Sequence, residues 1–228
     1  MGKKTKAIKE TDIKGNKPWL KKVGFTSYKE ETKEPNKTFL IVCEGQTEAL
    51  YFESFPTISA EIKTYGMGCS HATLADCTID LMEKNQYDEV WCVFDMDFKS
   101  DIAGQFEDFN SAIQKCYSNG VKCAYSNDSF ELWLYLHFHF TDQRNHRDFY
   151  NDQLGNIFGI NYRKDGKKRK FVLKLYKALE NNSDASQKEA INRSKLLVEK
   201  HEGTSPHLQN PITLVYLLVE ELNKYLSD

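Results

Sequence analysis

Apolar residues between positions 37 and 140 fall into short continuous runs that alternate with segments of helical periodicity. A continuous run is typical of a parallel strand covered on both faces, whereas apolar residues three or four positions apart are typical of an amphipathic helix. The runs predict strands near residues 38–43, 61–65, 89–94 and 121–125. The periodic segments predict helices near residues 47–55, 70–85, 104–117 and 130–140. This alternation predicts an α/β fold with a Rossmann-like parallel four-stranded sheet flanked by helices. If the strand order is 2-1-3-4, the first and third strands are neighbours.

The chain on either side of this α/β core, predicted at residues 37–140, has a different character. Residues 1–36 lack apolar periodicity, and we predict a basic N-terminal arm that is partly disordered. Residues 141–228 predict a C-terminal helical extension with a basic loop. After loops or short helices up to residue 170, helices are predicted near residues 171–180, 184–200 and 211–226. Pro211 suits the first position of the last helix.

Small polar residues mark several of the predicted helix ends. Ser70 is suited to cap the second helix, and Asn119-Gly120 is suited to end the third. Asn127-Asp128-Ser129 forms a strong capping signal in front of the fourth helix. These signals support the alternation of strands and helices independently of the apolar pattern.

Composition narrows the class of protein. With 40% hydrophobic and 28% charged residues the chain resembles ordinary globular proteins. Its start lacks the apolar core of a signal peptide, and no apolar run approaches the roughly 18 residues needed to span a bilayer, so we expect a cytoplasmic protein. The six cysteines show no CxxC spacing, and buried free thiols are expected rather than a zinc site.

Three acidic residues follow predicted strands at positions where ligands bind in open parallel sheets. Glu44 follows the first strand, and Asp95 and Asp97 follow the third. In the order 2-1-3-4 these strands are neighbours, so their carboxyl ends meet at the switch point of the sheet. Clustered carboxylates repel one another unless a cation binds, and hard cations prefer carboxylate oxygens, so we predict an Mg²⁺ or Mn²⁺ site. The alternative is that Glu44 caps its own helix and the aspartates are turn residues.

Four segments in order are similar to the RloB family of bacterial proteins: IVCEGQTEALYF, VFDMDFK, SNDSFELWLYLHF and NPITLVYLLVEEL. The acid after one strand and the DxD after another also resemble the Toprim catalytic domain of topoisomerases, primases and OLD-family nucleases. The resemblance covers roughly residues 37–225. It implies a Toprim-type fold, a role in abortive infection and phage defence, and an ABC-type ATPase as partner.

The resemblance also assigns roles to single residues. It implies metal binding or general acid/base work for Glu44, and metal binding for Asp95 and Asp97. Glu131 matches a late acidic position of the family and would complete the catalytic site. The alternative for Glu131 is a helix N-terminal acid favoured by the helix dipole. Lys99, two residues after the DxD, is predicted to stabilise charge on a phosphate, although an exposed loop lysine is the commoner outcome.

Basic residues are concentrated in two parts of the chain. Residues 1–37 hold eleven lysines against five acids, and residues 163–177 hold eight basic residues against one acid. Such patches contact nucleic acid phosphates, or else form a solvated tail and a solvated loop. The residues predicted to bind nucleic acid are Lys167, Lys168, Arg169, Lys170 and Arg193.

The leading hypothesis is a metal-dependent Toprim-type endonuclease, the effector of an anti-phage abortive-infection system, that hydrolyses phosphodiester bonds in RNA, with tRNA a plausible target. The alternative is a non-catalytic Toprim-like subunit that binds an ATPase partner and senses nucleic acid. The chain lacks a G-x-x-x-x-G-K-[ST] loop, so it is not expected to be the ATPase itself. No membrane partner is expected, and homo-oligomer formation is left open.

Overall fold

Four parallel strands form the central sheet of the computed structural model, which describes residues 36–99 and 102–226. The strands are β1 (Lys37–Cys43), β2 (Ala60–Gly66), β3 (Glu89–Val93) and β4 (Lys122–Cys123). Every neighbouring pair is parallel, which confirms the predicted parallel sheet, and the strands lie in the order β2-β1-β3-β4, the order that the predicted metal site requires. Residues 39–43 of β1 have no exposed surface, because layers of helices cover both faces of the sheet.

Three helices connect the strands: α1 (Gln46–Glu53), α2 (His71–Lys84) and α3 (Gln105–Ser118). Ser70 caps α2 by accepting a hydrogen bond from the backbone N–H of Thr73 (3.5 Å). Gly120 follows the end of α3 with φ of 75°, a conformation that glycine adopts without a steric penalty. Both predicted helix ends are therefore confirmed.

A second, two-stranded sheet was not predicted from the sequence. β5 (Ser126–Asn127) pairs antiparallel with β6 (Ile212–Thr213), although the two strands are far apart in the chain. The last helix, α9 (Val215–Asn223), therefore begins after β6, and Pro211 precedes that strand. The prediction of a helix from residue 211 was wrong at its start because a distant partner draws residues 212–213 into a ladder.

The polar triplet of residues 127–129 bridges to other segments and does not cap the fourth helix. The amide of Asn127 donates to the carbonyl of His207 (3.1 Å), and Asp128 Oδ2 accepts from the backbone N–H of Arg147 (2.8 Å). The helix α4 (Glu131–Leu136) has no side-chain cap and ends four residues before the predicted boundary. The carbonyl of Leu136 accepts a hydrogen bond from Arg193 instead of continuing the helix.

The remaining helices belong with the sheet to one compact unit of the described residues. They are α5 (Arg147–Phe158), α6 (Arg169–Val172), α7 (Leu175–Glu180) and α8 (Gln187–Lys200). Twelve-residue α5 lies in the segment predicted as loops or short helices. In residues 36–99 and 102–226 no helix is both long and apolar enough to cross a bilayer. The predicted arm at residues 1–36 lies, except for residue 36, outside the described residues.

Replacing Leu40 by Ala is expected to lower the free energy of unfolding by about 2–5 kcal/mol. Leu40 has no exposed surface at the centre of β1, so the substitution removes buried apolar contacts and leaves a cavity. Urea unfolding followed by circular dichroism measures the change. The matched control is Ile58→Ala, at a side chain that is 69% exposed, with an expected change within about 0.5 kcal/mol. Equal losses in the two variants would contradict this account of the core.

His137 is a buried titratable group in the packing around α4. Its Nδ1–H donates to the carbonyl of Trp133 (3.0 Å), and its ring meets the Trp133 ring edge-on at 4.8 Å. Burial lowers the pKa of His137 to about 4. In the unfolded chain a histidine takes up a proton near pH 6.5. Stability that depends on the neutral ring is therefore present above that pH and is lost as the pH falls towards 4.

We expect the titration of His137 to lower the free energy of unfolding by about 2 kcal/mol as the pH falls from about 7 to about 5. His137→Gln keeps a donor for the Trp133 carbonyl but does not titrate. Urea unfolding at several pH values should therefore give a shallower slope for the variant, even where its stability at pH 7 is lower. Parallel slopes for the two proteins would show that His137 does not contribute to acid sensitivity.

Candidate functional site

The ends of β1 and β3 bring together two acidic residues that are far apart in sequence. Cys43 is the register partner of Val93, and the backbone N–H of Glu44 donates to the Val93 carbonyl (2.8 Å). The Glu44 carboxylate in turn accepts a hydrogen bond from the backbone N–H of Asp95 (3.2 Å). The predicted meeting of these two acids at the carboxyl edge of the sheet is thus present in the structure.

The segment Asp95-Met96-Asp97 directs its side chains to alternating sides. Met96 is buried in the hydrophobic core, whereas both aspartates face the same guanidinium group. Asp97 has φ of 38°, in the left-handed region that aspartate adopts more readily than most residues, and its N–H donates to the Asp128 carbonyl (3.1 Å). The chain thus turns away from the strand directly after the second carboxylate.

Arg147, which was not predicted as a site residue, neutralises this pair of aspartates. Its Nη1 lies 2.8 Å from Asp97 Oδ1, and its Nη2 lies 3.5 Å from Asp95 Oδ2. Burial would lower the pKa of Arg147, but the charges of Asp95, Asp97, Glu131 and Asp128 outweigh it and raise the pKa. No local signal marks this residue, because its role depends on the way α5 packs beside the sheet.

Glu48 is a second residue that sequence reasoning missed. It lies in the first turn of α1, and its Oε2 is buried without a hydrogen-bond partner among the residues that the structure describes. Gly45 leaves room for this carboxylate, since a Cβ at that position would overlap it. Burial raises the pKa of Glu48 to about 7, and the charges of Glu131 and Glu44 add to the rise. The spacing E-x-x-x-E at the start of a predicted helix was the available signal.

Glu131, which the family resemblance placed in the site, lies close to the same acidic cluster, and its catalytic role stays a prediction. It is the first residue of α4, is buried, and has Lys167 Nζ 3.2 Å from its Oε1. Burial raises the pKa of Asp95 well above its usual range, and the charges of Glu48, Glu131 and Glu44 raise it further. The Asp95 pKa stays raised although Arg147 Nη2 lies 3.5 Å from its Oδ2. We name the acidic centre as Glu44, Glu48, Asp95, Asp97 and Glu131.

His71 supports the acidic centre from the start of α2. Its Nε2 lies 2.8 Å from the Asp95 carbonyl oxygen and 3.7 Å from Glu44 Oε2. Its Nδ1 lies 3.0 Å from Asp108 Oδ2, on α3. Burial raises the pKa of Glu44, and His71 is the first of the groups that oppose this rise. The sequence gives no signal for His71, since it depends on the packing of α2 against α3.

The predicted basic residues occupy different positions. Lys99 is exposed and lies 3.2 Å from Asp97 Oδ2, which brings it to the acidic centre. Lys168 pairs with Asp165 (2.7 Å), while Arg169 and Lys170 are exposed on α6. Arg193 donates to the Leu136 carbonyl (2.6 Å), a structural contact at the end of α4. Nucleic acid binding by these residues stays a prediction.

The donor set of the acidic centre fits a hard divalent cation. All five side chains offer carboxylate oxygens, and Glu48 supplies a buried oxygen without a partner. The part of the chain that is described contains no ready-made group of three or more His, Cys, Asp or Glu side chains around a common ion position. Arg147 holds the two aspartates in this arrangement, so a cation would have to compete with its guanidinium group.

Comparison with known proteins adds a family to this geometry. The family model described as RloB-like protein matches residues 39–222, which include the whole acidic centre and Arg147. A search of curated proteins and a search of solved structures gave no match. The family match extends over most of the sequence and agrees with the four segments recognised there. The chain therefore belongs to the RloB family.

Proposed function

We propose that this protein is an Mg²⁺- or Mn²⁺-dependent nuclease that hydrolyses phosphodiester bonds. The observation that carries the proposal is the gathering of five carboxylates from three separate segments at the carboxyl edge of a parallel sheet. Burial and mutual repulsion raise the pKa of Asp95, Glu44 and Glu48 there. Shifted carboxylates at a strand-end crevice are more typical of a catalytic or metal site than of a purely structural cluster.

The residues of the acidic centre would hold the cation and orient one another. When bound, the cation supplies a Lewis acid for the phosphate and lowers the pKa of a bound water. The backbone N–H of Asp95 donates to one carboxylate oxygen of Glu44, and His71 Nε2 is hydrogen-bonded to the backbone carbonyl oxygen of Asp95. Lys99 and Lys167 each have an exposed stem and a head group beside an acid of the centre, so both are suited to contact a phosphate.

RNA is the proposed substrate, with tRNA as a specific candidate, and the proposed setting is an anti-phage abortive-infection system. Family membership supports the setting, and the basic residues 163–177 support a polyanionic substrate. The contact between Lys167 and Glu131 joins this basic stretch to the acidic centre. The proposed partner is an ABC-type ATPase that holds the nuclease inactive until infection.

A non-catalytic subunit that binds the ATPase and senses nucleic acid is the second candidate. One observation favours it: the guanidinium group of Arg147 pairs with both Asp95 and Asp97. A binding module has no need of a competent metal cluster, so cation binding and cleavage distinguish the two candidates.

We expect the purified protein to cleave RNA in the presence of Mg²⁺ or Mn²⁺, and we expect Asp95→Asn or Glu44→Gln to lower the rate at least about a hundredfold. Each substitution keeps the shape of the side chain but removes a carboxylate ligand. The measurement is gel analysis of tRNA, other RNA and DNA after incubation with each metal ion, with EDTA as the metal-free reference.

Glu61→Gln is the matched control for these variants, because Glu61 is an exposed acid on the neighbouring strand β2. Its cleavage rate should equal that of the wild-type protein. Undiminished cleavage by Asp95→Asn would overturn the assigned centre. A wild-type protein that binds RNA but cleaves none of the substrates would favour the non-catalytic candidate.

Glu48→Gln is expected to weaken Mg²⁺ and Mn²⁺ binding by about tenfold or more. The substitution leaves a side chain of the same size but removes the buried oxygen that lacks a partner. Isothermal titration with each metal ion measures the affinity. Glu53→Gln, at an exposed acid in the last turn of the same helix, is the control and should bind metal as the wild-type protein does.

Equal affinities for Glu48→Gln and the wild-type protein would remove Glu48 from the centre while leaving the three acids predicted from sequence in place. Thermal unfolding of both variants without metal checks that a lost affinity does not come from a damaged fold.

A further inference from the structure

A row of three aromatic rings lies directly beside the acidic centre. Phe98 follows Asp97 and stacks on Phe106 of α3, with ring centroids 5.1 Å apart and an interplanar angle of 13°. The Phe106 ring then meets His207 at 4.8 Å and 31°. Phe98 is 45% exposed and Phe106 is 37% exposed, so large apolar rings face solvent at this point of the surface. We call Phe98, Phe106 and His207 the aromatic row.

The row is held in place by hydrogen bonds on both sides. The side-chain amide of Asn110 donates to His207 Nδ1 (2.7 Å), and the backbone N–H of His207 donates to Asn110 Oδ1 (3.2 Å). On the Phe98 side, the backbone N–H of Lys99 donates to Gln105 Oε1 (2.8 Å), which ties the segment after Asp97 to the start of α3. Among the described residues, Phe98 has an aromatic neighbour on one face, the Phe106 face.

A cavity of about 280 Å³ lies at the acidic centre, and chain neighbours of Phe98 and Phe106 line part of it. Its walls include Glu44 and Asp97 of the centre together with Lys99, Ile102 and Gln105. Gln105 precedes Phe106 on α3, and Asp97 precedes Phe98 in the chain. The wall of the cavity therefore contains two acids of the centre and the residues that directly precede Phe98 and Phe106.

We propose that the aromatic row is a stacking platform for an unpaired nucleobase, so that the proposed nuclease acts on single-stranded nucleic acid. A nucleobase stacks on an aromatic face through its own π-face, and such contacts tolerate any base. Single-stranded RNA is recognised in this way, whereas the bases of a duplex already stack on their neighbours. The base would lie on the exposed face of Phe98, and its phosphate would lie at the neighbouring acidic centre.

The surroundings of the row favour a nucleotide over a protein side chain as its occupant. Asp97 and Lys99 flank Phe98 in the chain and Gln105 precedes Phe106, so polar side chains accompany both rings, whereas a protein-binding surface is expected to have a more continuous apolar core. Phe98 also directly follows Asp97, an acid of the centre that would hold the reacting phosphate. This inference rests on the proposed function for the identity of the strand, but its contact residues lie outside the acidic centre.

The test is the binding of a short single-stranded RNA that carries one 2-aminopurine, measured by fluorescence quenching with the full chain. EDTA prevents metal-dependent cleavage, and the salt concentration is held near 0.1 M because phosphate contacts are salt-dependent. We expect Phe98→Leu, which keeps an apolar side chain without a π-face, to weaken binding about tenfold and to remove the quenching. Phe98→Trp should bind as tightly as the wild-type protein. Binding of the corresponding duplex should be unchanged by either substitution.

Tyr117→Leu is the matched control. Tyr117 is an exposed aromatic residue, 54% accessible, in the last turn of α3, the helix that also carries Phe106. Wild-type affinity is expected for this variant. Unchanged single-strand binding by Phe98→Leu would overturn the proposal and leave a protein partner as the occupant of the row. A wild-type protein that does not prefer single strand to duplex would overturn it as well.

The two proposals fail in different ways. RNA cleavage that Phe98→Leu leaves unaffected in kcat and KM would retain the nuclease and remove the stacking platform. Single-strand binding that depends on Phe98, in a protein that cleaves no substrate with any metal ion, would retain the platform and remove the nuclease.

Discussion

Repulsion between carboxylates at one edge of the sheet is the constraint that the structure has to satisfy. Asp95 is only 8% exposed and is surrounded by Glu44, Glu48 and Glu131, so its pKa is raised well above the usual range. Without compensation, several buried negative charges would destabilise this edge of the fold. The compensation comes from donors on separate segments, and those donors define which parts of the chain have to meet there.

Long-range contacts of this kind connect the segments after residue 140 to the acidic centre. Arg147, the first residue of α5, pairs with Asp95 and Asp97, while its own backbone N–H is held by Asp128. Lys167, beyond α5, pairs with Glu131. Most of the acidic residues follow strands of the sheet, whereas Arg147 and Lys167 come from the segments after residue 140. A change in the packing of α5 would therefore alter the electrostatics of the strand ends without touching a carboxylate.

The residues that could be predicted from sequence are those whose position follows from the strands alone. Glu44, Asp95 and Asp97 were predicted because the carboxyl ends of neighbouring parallel strands meet, whatever else the chain does. Predicting Glu48 would have required the orientation of the first turn of α1 relative to the sheet. Only its spacing from Glu44 could be read from the sequence. Arg147 could not be found, because nothing local distinguishes a basic residue in a polar segment from one that will face two buried aspartates.

The same limit explains the errors in the fold. β5 and β6 are two residues each, too short to show alternation, and they exist because residues 126–127 and 212–213 pair across the chain. Periodicity reports local preference, so it extended the last helix over residues that a distant strand occupies. Short ladders and buried charge pairs are both products of tertiary contact, and here they occur at the same place, since Asp95 also bridges to Ser126.

The pairing of Arg147 with the aspartates has a consequence for any cation that binds this edge. Arg147 already compensates part of the negative charge. The affinity for a cation therefore reflects the energy of its contacts with the carboxylates minus the energy of the Arg147 ion pairs that it replaces, and not the full attraction of five carboxylates. Glu48 takes no part in that pairing, and its buried oxygen has no partner within the described residues. A cation on that side of the centre breaks no ion pair with Arg147, but it has to displace the proton that the raised pKa of Glu48 retains near neutral pH.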